Sequence, residues 1–334
     1  SSTVVQALDA TGVRLGPLDR LSHPLTATVS SSLVITVTRV EQSLSSRLDV
    51  IPPPRLVRAD ATRPRGYREL LQPGTPGRRQ VVEEVTLEDG QAVGSRVVSE
   101  QVVLEPIPEW VLEGTRADPA MDAFRESALG YLGRGGVTRL SPGVVEQTIF
   151  ELSRLRGDRY GSVRVLTQPS GRPWLVLTTF ARTPHEVVLF VFWWTDELTA
   201  HAQVLAEGAY LLDARAQQAG DAVDLGLVVS ANQAGETTAP QFILRRLVHK
   251  PGPTDIWRLV WTSQGVEGWR SDQGTVAFIG DGLERLHVLG AAATASSSPF
   301  VICSGCPRRR FESVWSRTGD AYILESTRVL PSPY

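Results

Sequence analysis

The spacing of apolar positions changes twice along this chain and marks out three regions. In the first, residues 1–45, Val4, Val5 and Leu8 recur at helical spacing behind Ser2 or Thr3 as an N-cap, and Gly12 closes the run. A loop follows, then a predicted strand in which Leu33, Ile35 and Val37 alternate with Val34, Thr36 and Thr38. One helix and one strand cannot close a core, so either further strands lie upstream of Ser1 or this piece leans on a neighbour.

The second region, residues 46–116, begins with Pro52, Pro53, Pro54, Pro64, Pro73 and Pro76, which predict extended rather than helical chain. Two strands, 79–88 and 95–105, flank the hairpin signal Asp89-Gly90. Their apolar residues fall on both faces, which predicts thin sheets enclosing little core. The third region, residues 117–334, opens with two helices, each started by a capping residue and proline: Asp118-Pro119 and Ser141-Pro142. About ten short strands follow, predicting a sandwich, a barrel or a propeller-like sheet stack. The fold class is therefore mainly β and multidomain.

Composition narrows the partners. The 334 residues are 42% hydrophobic and 21% charged, a globular balance. A net charge of -2 gives no electrostatic case for nucleic acid or an anionic membrane surface. The longest apolar run, Val187 to Trp194, has strand length, so no membrane span is expected. The opening "SSTVV" has neither methionine nor a signal-type apolar stretch, and reads as a mature or trimmed chain from which any targeting segment has been removed.

The second region resembles the G5 domain, a module of bacterial cell-surface and cell-wall proteins, over roughly Leu48 to Thr115. The resemblance rests on Gly66 in "PRG", Gly74 in "QPG", Gly77 in "TPG", Gly90 in "EDG" and Gly114 in "EGT", and on the closing "VVSEQVVLEPIPEWVLEGT". Residues 1–45 are similar to the latter half of the β-grasp-like modules that precede G5 in resuscitation-promoting factors. Residues 117–334 carry no hydrolase signature and match no named family. The G5 resemblance implies an extracellular or envelope location, secreted or anchored through a segment outside this chain. It also implies a spacer or adhesion role, with peptidoglycan or another N-acetylglucosamine-containing glycan, or a surface protein, as partner. No cofactor is expected: zinc in the module would depend on carboxylates such as Glu83, Glu84 and Asp89, because the module has no histidine or cysteine.

Candidate chemistry is sparse. There is no G-x-S-x-G, and His185-Glu186 lacks the second histidine of a metalloprotease helix. Cys303 and Cys306 form a single CxxC without a second ligand pair, so a local disulfide is the candidate and no metal site is assigned. No catalytic residue is assigned. Trp174, Trp193 and Trp194 are candidate glycan-binding residues, since indole stacks on sugar faces, although core packing is the ordinary use of tryptophan in β domains. Adjacent Trp193 and Trp194 point to opposite faces of a strand. The expected function is a non-catalytic envelope protein in which a G5 spacer presents a C-terminal binding domain. The competing expectations are a wall-polymer hydrolase with a carboxylate pair in a C-terminal cleft, and a purely structural spacer.

Overall fold

The computed structural model describes residues 2–134, 136–156, 161–168, 171, 173–183, 186–196, 198–233, 236–248, 256–267, 269, 274–293 and 308–331. The first part of the chain runs through α1 (Val4–Thr11), β1 (Arg20–Leu21), β2 (Val37–Thr38), β3 (Val40–Ile51), β4 (Arg55–Pro64), β5 (Arg68–Gln72), β6 (Gly77–Glu88), β7 (Gln91–Leu104) and β8 (Glu109–Arg116). The helices α2 (Pro119–Arg134) and α3 (Pro142–Arg156) come next. Twelve strands then form three groups of four: β9 (Val163–Thr167), β10 (Pro173–Ala181), β11 (Val187–Trp194) and β12 (Ala200–Glu207); β13 (Ala209–Ala219), β14 (Ala222–Gln233), β15 (Glu236–Val248) and β16 (Arg258–Thr262); β17 (Thr275–Ile279), β18 (Arg285–Ala293), β19 (Arg308–Thr318) and β20 (Ala321–Val329). The chain divides into two compact units, Ser1–Leu56 with Gln72–Glu109, and Val57–Leu71 with Trp110–Tyr334.

In the first unit, α1 starts where the Thr3 N–H donates to Gln6 Oε1 (3.0 Å) and ends at Gly12 in the left-handed region. Only Val37–Thr38 of the expected strand over 33–38 is formed, paired with β1. Val34 is 75% exposed, so the segment before it has no second surface on which to bury an alternating face. Strand β6 is the centre of an antiparallel sheet ordered β3-β6-β7. Its only buried apolar side chain is Val81, and β7 is exposed along its whole length. Arginine–carboxylate pairs decorate it instead, including Arg79–Glu100 at 3.0 Å and Arg96–Glu84 at 2.9 Å. Exposed pairs of this kind contribute little individually, so the ladder hydrogen bonds and twist carry this thin sheet.

The second unit starts from the three-stranded sheet β4-β8-β5 and continues as layers. Asp118 caps α2 as expected, its Oδ1 accepting the N–H groups of Ala120 and Met121 (both 3.2 Å). Met121, Phe124, Leu132, Val145 and Ile149 from the two helices pack on Val176, Phe180, Phe190 and Phe192 of the sheet β12-β11-β10-β9. The opposite face of that sheet presents Leu175, Leu177, Leu189, Val191 and Trp193 to Leu225, Leu227, Val229 and Trp257 of the second group, ordered β13-β14-β15-β16 and closed by the chain leading into β16. Val228, Phe242 and Leu244, on the far side of this second sheet, meet Val276, Leu286, Val288, Trp315 and Tyr322 of the sheet β17-β18-β19-β20. The C-terminal strands are thus three antiparallel meanders stacked face to face, with the helix pair covering the outer face of the first.

Two polar networks lock the layers. Buried Gln203 of β12 accepts the Trp257 N–H at Oε1 (2.8 Å) and donates through Nε2 to the carbonyls of Trp257 (3.2 Å) and Arg68 (3.1 Å). The Val204 N–H donates to the Gly66 carbonyl (2.8 Å), so the turn between β4 and β5 rests on the edge of β12. Further along, Asp224 of β14 is fully buried between Arg246 (2.6 and 3.0 Å) and Arg317 (2.5 Å). Burial pushes this carboxyl up, but the two guanidinium groups outweigh it and hold Asp224 below the usual carboxylate range.

Removing one partner of such a cluster leaves buried charge uncompensated, so Asp224→Asn is expected to cost about 3–5 kcal/mol at neutral pH in urea denaturation. The folded value lies below the unfolded one, so this contribution is complete above about pH 4 and is lost as pH falls through the folded value. The native protein should therefore lose more stability than the variant on acidification from about pH 5 to 3. Parallel pH profiles for the two would contradict this role.

Candidate functional site

A cleft of about 550 Å³ opens at one end of the layers, where the helix pair, the first sheet and the second sheet part. This volume falls in the usual range for small-molecule sites, roughly 300–1,000 Å³. Trp174 and Leu175 come from the start of β10, and Trp193 to Asp196 from the end of β11. Val137 and Thr138 approach from the turn between the helices, Gln168 from the end of β9, and Gln218, Gly220 and Asp221 from the turn between β13 and β14. Antiparallel pairing of Leu175 with Trp193 brings the two ends of the hairpin together.

The three tryptophans singled out in the sequence line this one cleft, with different duties. Trp193 is 3% exposed, stacked on His201 (5.5 Å between rings) and edge-on to Trp257 (6.3 Å). Trp194 points to the helix side, as adjacency in a strand requires, and its indole N–H donates to the Leu132 carbonyl (3.3 Å). Trp174 is half-buried and packs against the core between the first two sheets. Trp174 and Trp194 therefore each give part of their surface to a core and part to the cleft.

The polar groups of the cleft are also differentiated. The Thr199 hydroxyl and the N–H groups of Leu198 (2.8 Å) and Thr199 (2.7 Å) hold the Asp196 carboxyl below its ordinary range. Asp196 thus orders the rim turn that it caps. Thr195 is paired with His201 (2.9 Å). The Gln218 amide donates to the Gly220 carbonyl (2.8 Å), ordering the turn that carries Asp221. Composition gave no pointer to Thr138, Gln168, Gln218 and Asp221, which are far apart in sequence; the only local signal among them is the Gly220-Asp221 turn pair.

The remaining sequence candidates are not gathered into a site. Glu83 and Glu84 point to opposite faces of β6 and pair with Arg47 and Arg96, while Asp89 accepts the Arg39 N–H (2.8 Å). Among the described residues no group of three or more His, Cys, Asp or Glu side chains is placed to hold a metal ion. Cys303 and Cys306 lie outside the described residues. No helix among the described residues is long and apolar enough to cross a membrane.

Among the glycines, Gly77 and Gly114 sit where backbone crosses backbone. A Cβ on Gly77 would lie 2.5 Å from the Leu104 carbonyl oxygen, and one on Gly114 would run into the carbonyls of Pro64 and Arg63. A Cβ on Gly74 would instead meet the Pro53 ring, at 2.7 Å, whereas Gly66 and Gly90 occupy turns.

Residues 45–116 match the G5 domain family. The chain is 26% identical over 129 residues to resuscitation-promoting factor Rpf2 of Corynebacterium glutamicum, covering 38% of this chain. The chain spans about a third (34%) of the length of that relative. Among solved structures, the crystal structure of HP0197-G5 is 25% identical, with a TM-score of 0.21, over 23% of this chain and 99% of its own. The IgA1 protease G5 domain is 16% identical, with a TM-score of 0.17, over 24% and 94%.

A methyl group at Gly114 has no space, so Gly114→Ala is expected to cost about 1–3 kcal/mol or more. Gly94 of β7 has nothing within 4 Å, so Gly94→Ala should leave the thermal midpoint nearly unchanged. Equal midpoints for the two variants would show that close approach at Gly114 is not what requires glycine.

Proposed function

Starting from a chain that carries a G5 domain at residues 45–116, we propose an extracellular, wall-associated protein without catalytic activity. In this reading the G5 module is a spacer, and the stacked C-terminal unit is the part that engages N-acetylglucosamine-containing wall polymer. The observation that carries it is the cleft, where half-buried Trp174 and Trp194 lie among amide, hydroxyl and carboxylate groups. Sugars present apolar ring faces edged by hydroxyls, and aromatic faces beside neutral and acidic hydrogen-bonding groups complement them. The thin, two-faced sheet of the first unit supports the spacer role, since it encloses almost no core and carries its charges in pairs.

Against the hydrolase alternative, Asp196 Oδ1 is engaged by the Leu198 and Thr199 N–H groups, a structural duty at the cleft rim. Purified protein is expected to co-sediment with peptidoglycan sacculi and to release no soluble reducing sugar from them. Absence of co-sedimentation would remove the wall-binding reading. Sugar release lost on substituting a cleft carboxylate would replace it with the hydrolase.

A further inference from the structure

The G5 resemblance alone directs attention to the G5 module as the glycan binder. The physical chemistry of the two units points elsewhere. The groove in that part of the G5 module which lies in the first unit, about 460 Å³, is lined by Val50, Ile51, Pro52, Arg79, Glu100, Gln101 and Val102. It contains no aromatic ring, and both of its charged side chains are engaged with each other at 3.0 Å. A saccharide there would find neither a stacking face nor an unengaged charged reader.

We infer that the saccharide seat is the Trp174–Trp194 cleft of the second unit, and that its ligand is an uncharged, hydroxyl-rich saccharide whose ring lies against Trp174 while Gln168 and Asp221 receive its hydroxyl edge. This rests on the wall-binding reading above and assigns the site within it. Asp196 and Thr195 are occupied by the rim turn and by His201, so they hold the cleft open rather than read the ligand. Trp193 is a positioning residue. Wedged against His201 and Trp257, it fixes the end of β11 on which Trp194 stands. The Leu132 carbonyl takes the Trp194 N–H and leaves the ring face as its contribution to the cleft. Gln218 acts through the turn: its amide is bound to the Gly220 carbonyl, and the turn presents Asp221. Two half-buried indoles line one cleft together with amide and carboxylate side chains, the combination that a pyranose ring and its hydroxyls require.

The test uses the full chain, titrated calorimetrically and by tryptophan fluorescence with the N-acetylglucosamine tetramer and with cellotetraose. At least one is expected to bind and to change indole emission. Trp174→Ala and Asp221→Ala are each expected to weaken binding about ten-fold or more. Arg79→Ala, in the groove of the first unit, should bind as the native chain does. Asp221 lies on an exposed turn, so its variant keeps the test decisive if Trp174→Ala fails to fold. Undiminished binding by both cleft variants, or loss in Arg79→Ala, overturns the assignment. Retention on sacculi without binding of either oligosaccharide overturns the cleft and leaves wall retention to another surface of the protein. Failure of both experiments removes both.

Discussion

The C-terminal unit depends on one constraint: the sheet β9–β12 is apolar on both faces. Along β11, "VVLFVFWW" has no polar position, so neither face can be left to water. Phe190 and Phe192 send one face to the helices, where Phe124 stacks on Phe180 at 5.0 Å between rings. Leu189, Val191 and Trp193 send the other to a second sheet. That sheet is also apolar on its far side through Val228, Phe242 and Leu244, and so calls for a third. Stacking stops where a sheet finally offers a polar outer face. Strands β18–β20 do so, with Arg285 paired to Glu325 (2.9 Å) and His287 to Glu312 (2.8 Å). The helix pair caps one end of the stack and this ion-paired face the other.

The first unit solves the same problem by nearly avoiding it. With Val81 the only apolar side chain its main sheet buries, hydrophobic burial cannot be its main support. Backbone pairing along β3, β6 and β7 takes over, and Gly77 lets the chain pass close to the carbonyl of Leu104. A structure of this kind can be long at little cost in core-forming residues, which suits a spacer. In the second unit, the Gly66 carbonyl accepts the Val204 N–H and the Arg68 carbonyl accepts from Gln203, so β4, β5 and β8 are continuous with the stacked layers through buried hydrogen bonds.

Much of this was legible because it depends on local rules. The caps at Asp118 and Ser141, the Asp89-Gly90 hairpin and the β-branched strands all obey propensities that act over a few residues. The C-terminal region has twelve strands among its described residues where the apolar pattern predicts about ten, and β12 and β13 carry the weakest strand signal for the same reason. "AHAQVLAE" and "AYLLDARAQQA" are rich in alanine, glutamine and leucine, which favour helix in isolation, and only the neighbouring sheets make them strands. In those strands alanine meets crowded facing layers, as Ala209 and Ala214 do in the core between the first two sheets. The cleft was illegible because turns remote in sequence assemble it. The opposite orientation of Trp193 and Trp194 was readable from strand geometry alone, but the use of each ring was not.

The location of the cleft follows from the stacking. Layers of unequal strand length cannot stay in register to their ends, and here they part at the turns after β9, β11 and β13. Side chains at such an end are half core and half surface. Their buried half fixes the rotamer, and their exposed half is offered without the entropic cost of immobilisation on binding. Trp174 and Trp194 are held in this way, one by the core between the sheets and the other by the helices and the Leu132 carbonyl. Core packing and an exposed aromatic face, competing uses of tryptophan when read from sequence, coexist in each of these two side chains. The packing that buries most of each ring is what holds the remainder as a rigid aromatic surface.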